Sequence, residues 1–224
     1  MKTGIFGGTF DPIHIGHLIS ADQIRMMLDL DQIVFIPSAN PPHKPHAMEP
    51  AHHRFSMIEE AIQTNKAVRI SSIELVREGV SYSVDTVTAI CSQFPGWHPL
   101  YFILGIDAFM EIESWKNFEN FLSLITVVVT SRPGFHLCEL SKKLQQRTLD
   151  LLNPIPDAFL SMNDVNTLKQ MINSAGLPQQ LYLEVPAVDI SATEIRVRLK
   201  KNLSVQYLIL DSVKNYIDKY ALYR

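Results

Sequence analysis

Short apolar runs alternate along the chain with longer amphipathic stretches. The runs Lys2–Phe6, Gln32–Ile36, Val68–Leu75, Leu100–Leu104, Leu124–Thr130 and Leu181–Val185 are mostly continuous rather than alternating in polarity. That is the pattern of strands buried on both faces of a parallel sheet. Helical spacing lies between them, near 17–29, 51–64, 84–93, 139–150 and 165–174, with two further stretches near 192–200 and 204–220. Such alternation predicts an α/β fold, a doubly wound parallel sheet with right-handed crossovers and helices on both faces. Pro37, Pro41, Pro42, Pro45 and Pro50 crowd one stretch, which must be a loop because proline suits neither a helix interior nor a central strand. Residues 131–180 carry the weakest pattern and are read as an insertion between the last two strands. No repeat, linker or low-complexity tract divides the chain. One domain over 1–224 is predicted, with the C-terminal helical part, about 190–224, packed onto it.

Composition narrows the function. With 46% hydrophobic and 19% charged residues, a chain of this length buries a core without disulfide staples. Twenty Lys and Arg against 23 Asp and Glu give a net charge of −3. That balance argues against nucleic acid or an anionic membrane as partner while leaving room for a local basic pocket. Cys91 and Cys138 stand far apart and in no C-x-x-C, as two reduced thiols of a cytoplasmic protein would. Asp11 interrupts the first apolar run, and no apolar stretch approaches membrane-spanning length. Small-molecule substrates, and a monomer or homodimer, are the expected partners.

Candidate chemistry concentrates near the start. His14, His17, His43, His46, His52 and His53 are six of the eight histidines, and Gly4, Gly7 and Gly8 three of the nine glycines. The first strand runs into Gly7-Gly8-Thr9-Phe10-Asp11-Pro12-Ile13-His14-Ile15-Gly16-His17. Glycines let a ligand approach the backbone and tolerate positive φ; the helix that follows offers free N–H groups to a phosphate. His14 and His17, three apart at its entry, can share one face. The dinucleotide and P-loop fingerprints are both absent.

Later clusters follow the ends of other strands. Asn40-Pro41-Pro42-His43-Lys44 stiffens a loop that holds out Lys44. Ile190-Ser191-Ala192-Thr193-Glu194-Ile195-Arg196 reads as a capping box, Ser191 with Glu194. Capping leaves Arg196 unexplained, since a cation near a helix N-terminus is disfavoured unless an anion lies between it, the free N–H groups and the Thr193 hydroxyl. Gly105-Ile106-Asp107 ends the fourth strand, with Asp107 either a ribose acceptor or a helix cap. Ser83-Val84-Asp85-Thr86 looks like a helix start capped by Ser83, open to a ligand carboxylate. Trp115 either stacks on a flat base or packs in the core. Gly7–Gly8, Lys44, Asp107, Arg132 and Arg196 would all lie at the carboxyl edge of the sheet, where doubly wound folds bind ligands.

The string Gly7–His17, with His14-Ile15-Gly16-His17 as its His-x-Gly-His core, resembles the signature of the nucleotidyltransferase superfamily. Together with Pro41-Pro42-His43-Lys44, Tyr82–Thr86, Gly105-x-Asp107, Ser131-Arg132-Pro133-Gly134 and Ile190–Arg196, the sequence is similar to the bacterial nicotinate-nucleotide adenylyltransferases over nearly its whole length. Ala192 stands where many relatives carry Ser. The resemblance implies a Rossmann-like fold and transfer of AMP from ATP to nicotinate mononucleotide, giving nicotinate adenine dinucleotide and pyrophosphate. Mg²⁺ would be held mainly by ATP phosphates rather than by a protein cage. It implies catalytic roles for His14, His17, Lys44 and Arg196. ATP would meet Gly7, Gly8, Thr9, Phe10, His14, His17, Gly105, Asp107, Ile190, Ser191, Thr193 and Arg196. The mononucleotide would meet Asn40, Lys44, Ser83, Asp85, Thr86, Trp115 and Arg132, with Thr86 and Trp115 recognising the ring and its carboxylate. The alternatives are nicotinamide mononucleotide or phosphopantetheine as acceptor, a cytidylyl transfer, or a nucleotide sensor without catalysis.

Overall fold

In the computed structural model, which describes residues 1–42, 49–131, 140–151, 160–168, 170, 180–186 and 188–224, six parallel strands form one sheet. They are β1 (Thr3–Gly8), β2 (Gln32–Pro37), β3 (Val68–Ile70), β4 (Leu100–Gly105), β5 (Thr126–Thr130) and β6 (Gln180–Leu183), in the spatial order β3-β2-β1-β4-β5-β6. Between and after them run α1 (Ile15–Met27), α2 (Ala51–Ile62), α3 (Ser83–Gln93), α4 (Ile106–Phe109), α5 (Phe118–Leu124), α6 (Leu140–Lys143), α7 (Gln146–Leu151), α8 (Ala192–Lys200) and α9 (Asp211–Tyr220). The arrangement is Rossmann-like.

Alternate residues of the inner strands enter different cores, which is why their runs read as continuous. Ile33 and Phe35 pack with Ile24 and Met27 of α1, Met57 and Ile58 of α2, and Val213 and Ile217 of α9. Val34 and Ile36, together with Phe102 and Leu104, face the other way onto Val84, Val87 and Ile90 of α3 and Phe121 of α5. Gly4 serves this packing: a Cβ there would lie 2.5 Å from Ile33 Cδ1.

Several elements differ from the pattern. β3 has three residues rather than eight, because Ser72 O accepts from the amides of Leu75 and Val76 and turns the chain out of the sheet. Within 204–220 only Asp211–Tyr220 is helical; the preceding loop docks instead on α1, with Leu208 O accepting from Ile15 N at 3.0 Å. The stretch 139–150 resolves into the two short helices α6 and α7, and α4 and α5 were invisible to the periodicity because each is under two turns. Of the expected helix 165–174, residues 165–168 and 170 are helical, and the others lie outside the described residues. Cys91 is a half-buried free thiol, whereas Cys138 lies outside the described residues. Among the described residues, no helix is long and apolar enough to cross a membrane.

Candidate active site

The sheet itself opens the site. β1 pairs with β4 only as far as Phe6↔Ile103, yet continues against β2 through Gly8↔Pro37. Strand order reverses at this point, so beyond Phe6 the ends of β1 and β4 part and leave a crevice. The cleft there has a volume of about 1600 Å³, above the ~300–1,000 Å³ usual for one small ligand. All twelve residues expected to meet ATP, from Gly7 to Arg196, line it.

At one end the chain leaves β1 and turns into α1. Neither Gly7 nor Gly8 adopts positive φ; Phe10 does, at 49°. The glycines leave room for aromatic rings: a Cβ on Gly7 would come within 3.0 Å of the Phe102 ring, and one on Gly8 within 3.0 Å of the Phe10 ring, so either ring would have to shift. His14 occupies the N-cap of α1 and stacks on His17 with ring centroids 3.6 Å apart. The backbone N–H of His14 donates to His17 Nδ1 at 3.3 Å, so in neutral His17 the proton resides on Nε2, as a donor. His14 is 8% exposed; burial pushes its pKa down to about 4, and its Nδ1 is buried without a hydrogen-bond partner. The first amide of α1 is already taken by Leu208 O, so fewer amides face a ligand here than the helix start suggests.

Arg196 reaches across the same end. Its Nη1 donates to Asp11 O at 2.7 Å, and its Nη2 donates to Thr193 Oγ1 at 3.1 Å. The guanidinium therefore joins the start of α8 directly to the turn after β1, with Asp11 Oδ2 3.8 Å away. Ser191 caps α8 by accepting from Glu194 N at 3.1 Å. The expected capping box is only half formed, because the Glu194 carboxylate instead accepts from Arg198 Nε at 2.8 Å.

Behind these residues lies a buried polar cluster that the motifs did not reveal. Tyr223 donates its hydroxyl proton to Asp11 Oδ1 at 2.7 Å, and its amide to Glu49 Oε1 at 2.9 Å. Burial, and then the Asp11 charge, raise the Tyr223 pKa. Arg54, 1% exposed, points into the same region. Burial lowers its pKa, and the charges of Asp11, Tyr223 and Glu74 oppose that. One signal was present in the sequence: Arg54 shares the apolar stripe of α2 with Met57, Ile58, Ala61 and Ile62, where a charge is out of place.

The far end of the cleft is more open. Gly105 holds the N-cap position of α4 and Asp107 is exposed in its first turn, so Asp107 is not the cap. Tyr82, not Ser83, is the N-cap of α3, and no side chain caps that helix. Ser83, Thr86 and Trp115 line the cleft. The Thr86 hydroxyl is 1% exposed and donates to Glu74 Oε1 at 2.6 Å while accepting from Arg77 Nη2 at 3.0 Å; its one proton is spent. Trp115 stands edge-on to Phe102, centroids 6.4 Å apart. Asp85 pairs with Lys116, Nζ to Oδ2 3.0 Å, and that ammonium lies 4.6 Å from the centre of the Tyr82 ring. Asn40 is exposed and held through its backbone, its amide donating to Ser81 Oγ at 3.1 Å. Lys44 and Arg132 lie outside the described residues.

Comparison with known proteins adds a lineage to this geometry. A family model described as cytidylyltransferase-like matches residues 5–198. A Desulfitobacterium hafniense (strain Y51) protein described as a probable nicotinate-nucleotide adenylyltransferase is 37% identical over 100% of this chain and 96% of its own. A Clostridium tetani protein of the same description is 36% identical over 100% of this chain and 99% of its own. The solved Plasmodium falciparum nicotinic acid mononucleotide adenylyltransferase complexed with NaAD has a similar fold, with a TM-score of 0.71 over 100% of this chain and 98% of that one at 21% identity.

Proposed function

The chain belongs to the cytidylyltransferase-like family and, within it, to the nicotinate-nucleotide adenylyltransferases, and on that premise we propose that its cleft joins ATP and nicotinate mononucleotide by direct adenylyl transfer. The observation that carries the reading is the division of one cleft into two chemistries. His14, His17, Thr193 and Arg196 supply donors and charge at one end, and Trp115 with the uncapped start of α3 supplies a flat apolar face and free amides at the other.

In the proposed reaction a mononucleotide phosphate oxygen attacks the α-phosphorus of ATP. The new P–O bond forms as the bond to the β-phosphate bridge breaks, and pyrophosphate leaves with the electron pair. The nucleophile is already an anion, so no general base is required; catalysis rests on positioning and charge stabilisation. His17, donating through Nε2, serves the α-phosphoryl group, and Arg196 with Thr193 and Ser191 serves the β- and γ-phosphates. His14 lines the cleft beside His17 and packs its ring against it, which holds both imidazoles at the start of α1. Asp107, exposed in the cleft, would accept from a hydroxyl of the ATP ribose.

Magnesium, when bound with ATP, would neutralise negative charge on the polyphosphate. The donor set fits that role: guanidinium, imidazole N–H and hydroxyl groups recognise phosphate, whereas a hard cation seeks oxygen anions and retains its waters. At the pyridine end, the engaged Thr86 hydroxyl shifts carboxylate recognition to the amides of the first turn of α3 and to the Lys116 ammonium. Those groups favour the acid over the amide.

The test is pyrophosphate release from ATP and Mg²⁺ with nicotinate mononucleotide or nicotinamide mononucleotide at equal concentration. Preference for the acid is expected. Equal use would defeat the account of carboxylate recognition, and no release with either would defeat the reaction itself.

A further inference from the structure

Arg54 makes no ion pair within 4 Å among the described residues, yet it is the largest of the fully buried side chains. Every hydrogen bond recorded for it ends on a main-chain carbonyl. Nε donates to Glu49 O at 2.9 Å, Nη1 to Thr9 O at 2.6 Å, and Nη2 to Ser38 O at 2.6 Å and Ala39 O at 3.4 Å. Three separate pieces of loop backbone thus converge on one guanidinium. Burying a charge is costly, and an apolar side chain of similar volume would pack a core at least as well. What an apolar side chain lacks is a planar fork of five donors able to hold several carbonyls in fixed relation.

The loops gathered by Arg54 lead to the two ends of the cleft. Thr9 precedes Asp11, whose carbonyl accepts from Arg196. On the other side, Ala39 and Asn40 both donate their amides to Ser81 Oγ at 3.1 Å, and Ser81 N donates back to Asn40 O at 2.9 Å. Ser81 is itself buried and immediately precedes Tyr82, the N-cap of α3. A continuous path of polar contacts, centred on buried Arg54 and Ser81, therefore runs from the phosphate end through Thr9, Arg54, Ala39 and Ser81 to the pyridine end.

We propose that Arg54 is a positioning residue that sets the spacing between the two halves of the cleft, with Ser81 as its relay to α3. It touches neither substrate. It holds the loops so that the mononucleotide phosphate and the α-phosphorus meet in line, a geometry in which ~1 Å of misplacement can cost ~10²-fold in rate. The inference rests on the adenylyl-transfer reading.

The experiment compares Arg54→Met, Arg54→Lys and Ser81→Ala with wild type, measuring kcat, KM and the Kd of each substrate alone by calorimetry. For Arg54→Met, kcat is expected to fall about 100-fold while each Kd stays within about 3-fold. Arg54→Lys should recover under a tenth of the lost activity, since a single ammonium cannot span three segments. Ser81→Ala, a milder change, should lower kcat about 10-fold with unchanged Kd values, and keeps the question decidable if the Arg54 variants do not fold. The inference is overturned if Ser81→Ala and folded Arg54→Lys keep kcat within about 3-fold of wild type, or if the losses fall entirely on Kd. Wild-type turnover separates the two failures: an inactive wild type defeats the reaction, whereas an active wild type with fully active variants defeats only the role of Arg54.

Discussion

The two ends of the cleft are built to different rules. At the phosphate end Asp11, His14 and Arg54 are each under 9% exposed; Tyr223 holds the Asp11 carboxylate, main-chain carbonyls hold Arg54, and His17 stacks on His14. At the pyridine end the Lys116 and Asp85 side chains are 49% and 39% exposed, and Asn40 lies in solvent. Charge that acts on a transition state gains from a water-poor, preorganised setting in which nothing reorganises during reaction. Charge that only selects a substrate suffices at an exposed site, where an ion pair contributes a fraction of a kcal/mol to about 1 kcal/mol. On the proposed reaction the contrast would divide catalysis from choice, and mutation should reveal it.

The largest effect should come from the buried end. His17→Ala is expected to lower kcat about 10²–10³-fold with a smaller change in KM, because donors aimed at developing charge act mainly in the transition state. Steady-state kinetics with both substrates varied checks this, and an unchanged kcat in the folded variant would remove His17 from the reaction.

Next comes the cost of keeping His14 neutral. Its folded pKa of about 4 lies below the ordinary 6.5, so between those values the unfolded chain binds the extra proton. Stability from this group is complete above about pH 6.5 and is lost as pH falls toward 4, by up to ~3 kcal/mol. Denaturation midpoints of wild type and His14→Gln at pH 7 and 4.5 should show a smaller acid loss in the variant. Equal losses would refute the assignment.

Trp115→Ala tests the open end. Stacking of a base on an aromatic face is worth roughly 1–3 kcal/mol, so KM for the mononucleotide should rise about 10-fold with kcat nearly preserved. A fall in kcat alone would mean that the ring serves the reacting centre rather than binding. The smallest effect should be that of Lys116→Met: a decrease of about 5-fold in the acid-to-amide ratio of kcat/KM, consistent with one half-exposed charge. That decrease should shrink further in high salt, and an unaltered ratio would leave selection to the α3 amides.

The sequence by itself determined the doubly wound parallel sheet, because its continuous apolar runs are strand-length, rich in β-branched and aromatic residues, and alternate with helical patterns, as strands buried on both faces do. It also brought Gly7, Gly8, His14 and His17 to one part of the cleft, since they are a local string whose spacing along one strand-to-helix turn places them without help from distant contacts. Thr193 and Arg196 were legible for the same reason, three apart on one helix. The length of β3 was not, because Ile73 and Leu75 look the same to a pattern whether they extend a strand or pack beneath a turn. Only the tertiary structure could show that Arg196 bridges to Asp11, that the Thr86 proton is spent on Glu74, or that Tyr223 returns from the end of the chain to Asp11. These contacts span 185, 12 and 212 residues. A buried hydrogen bond depends on which groups folding brings within 3 Å, and no periodicity encodes that.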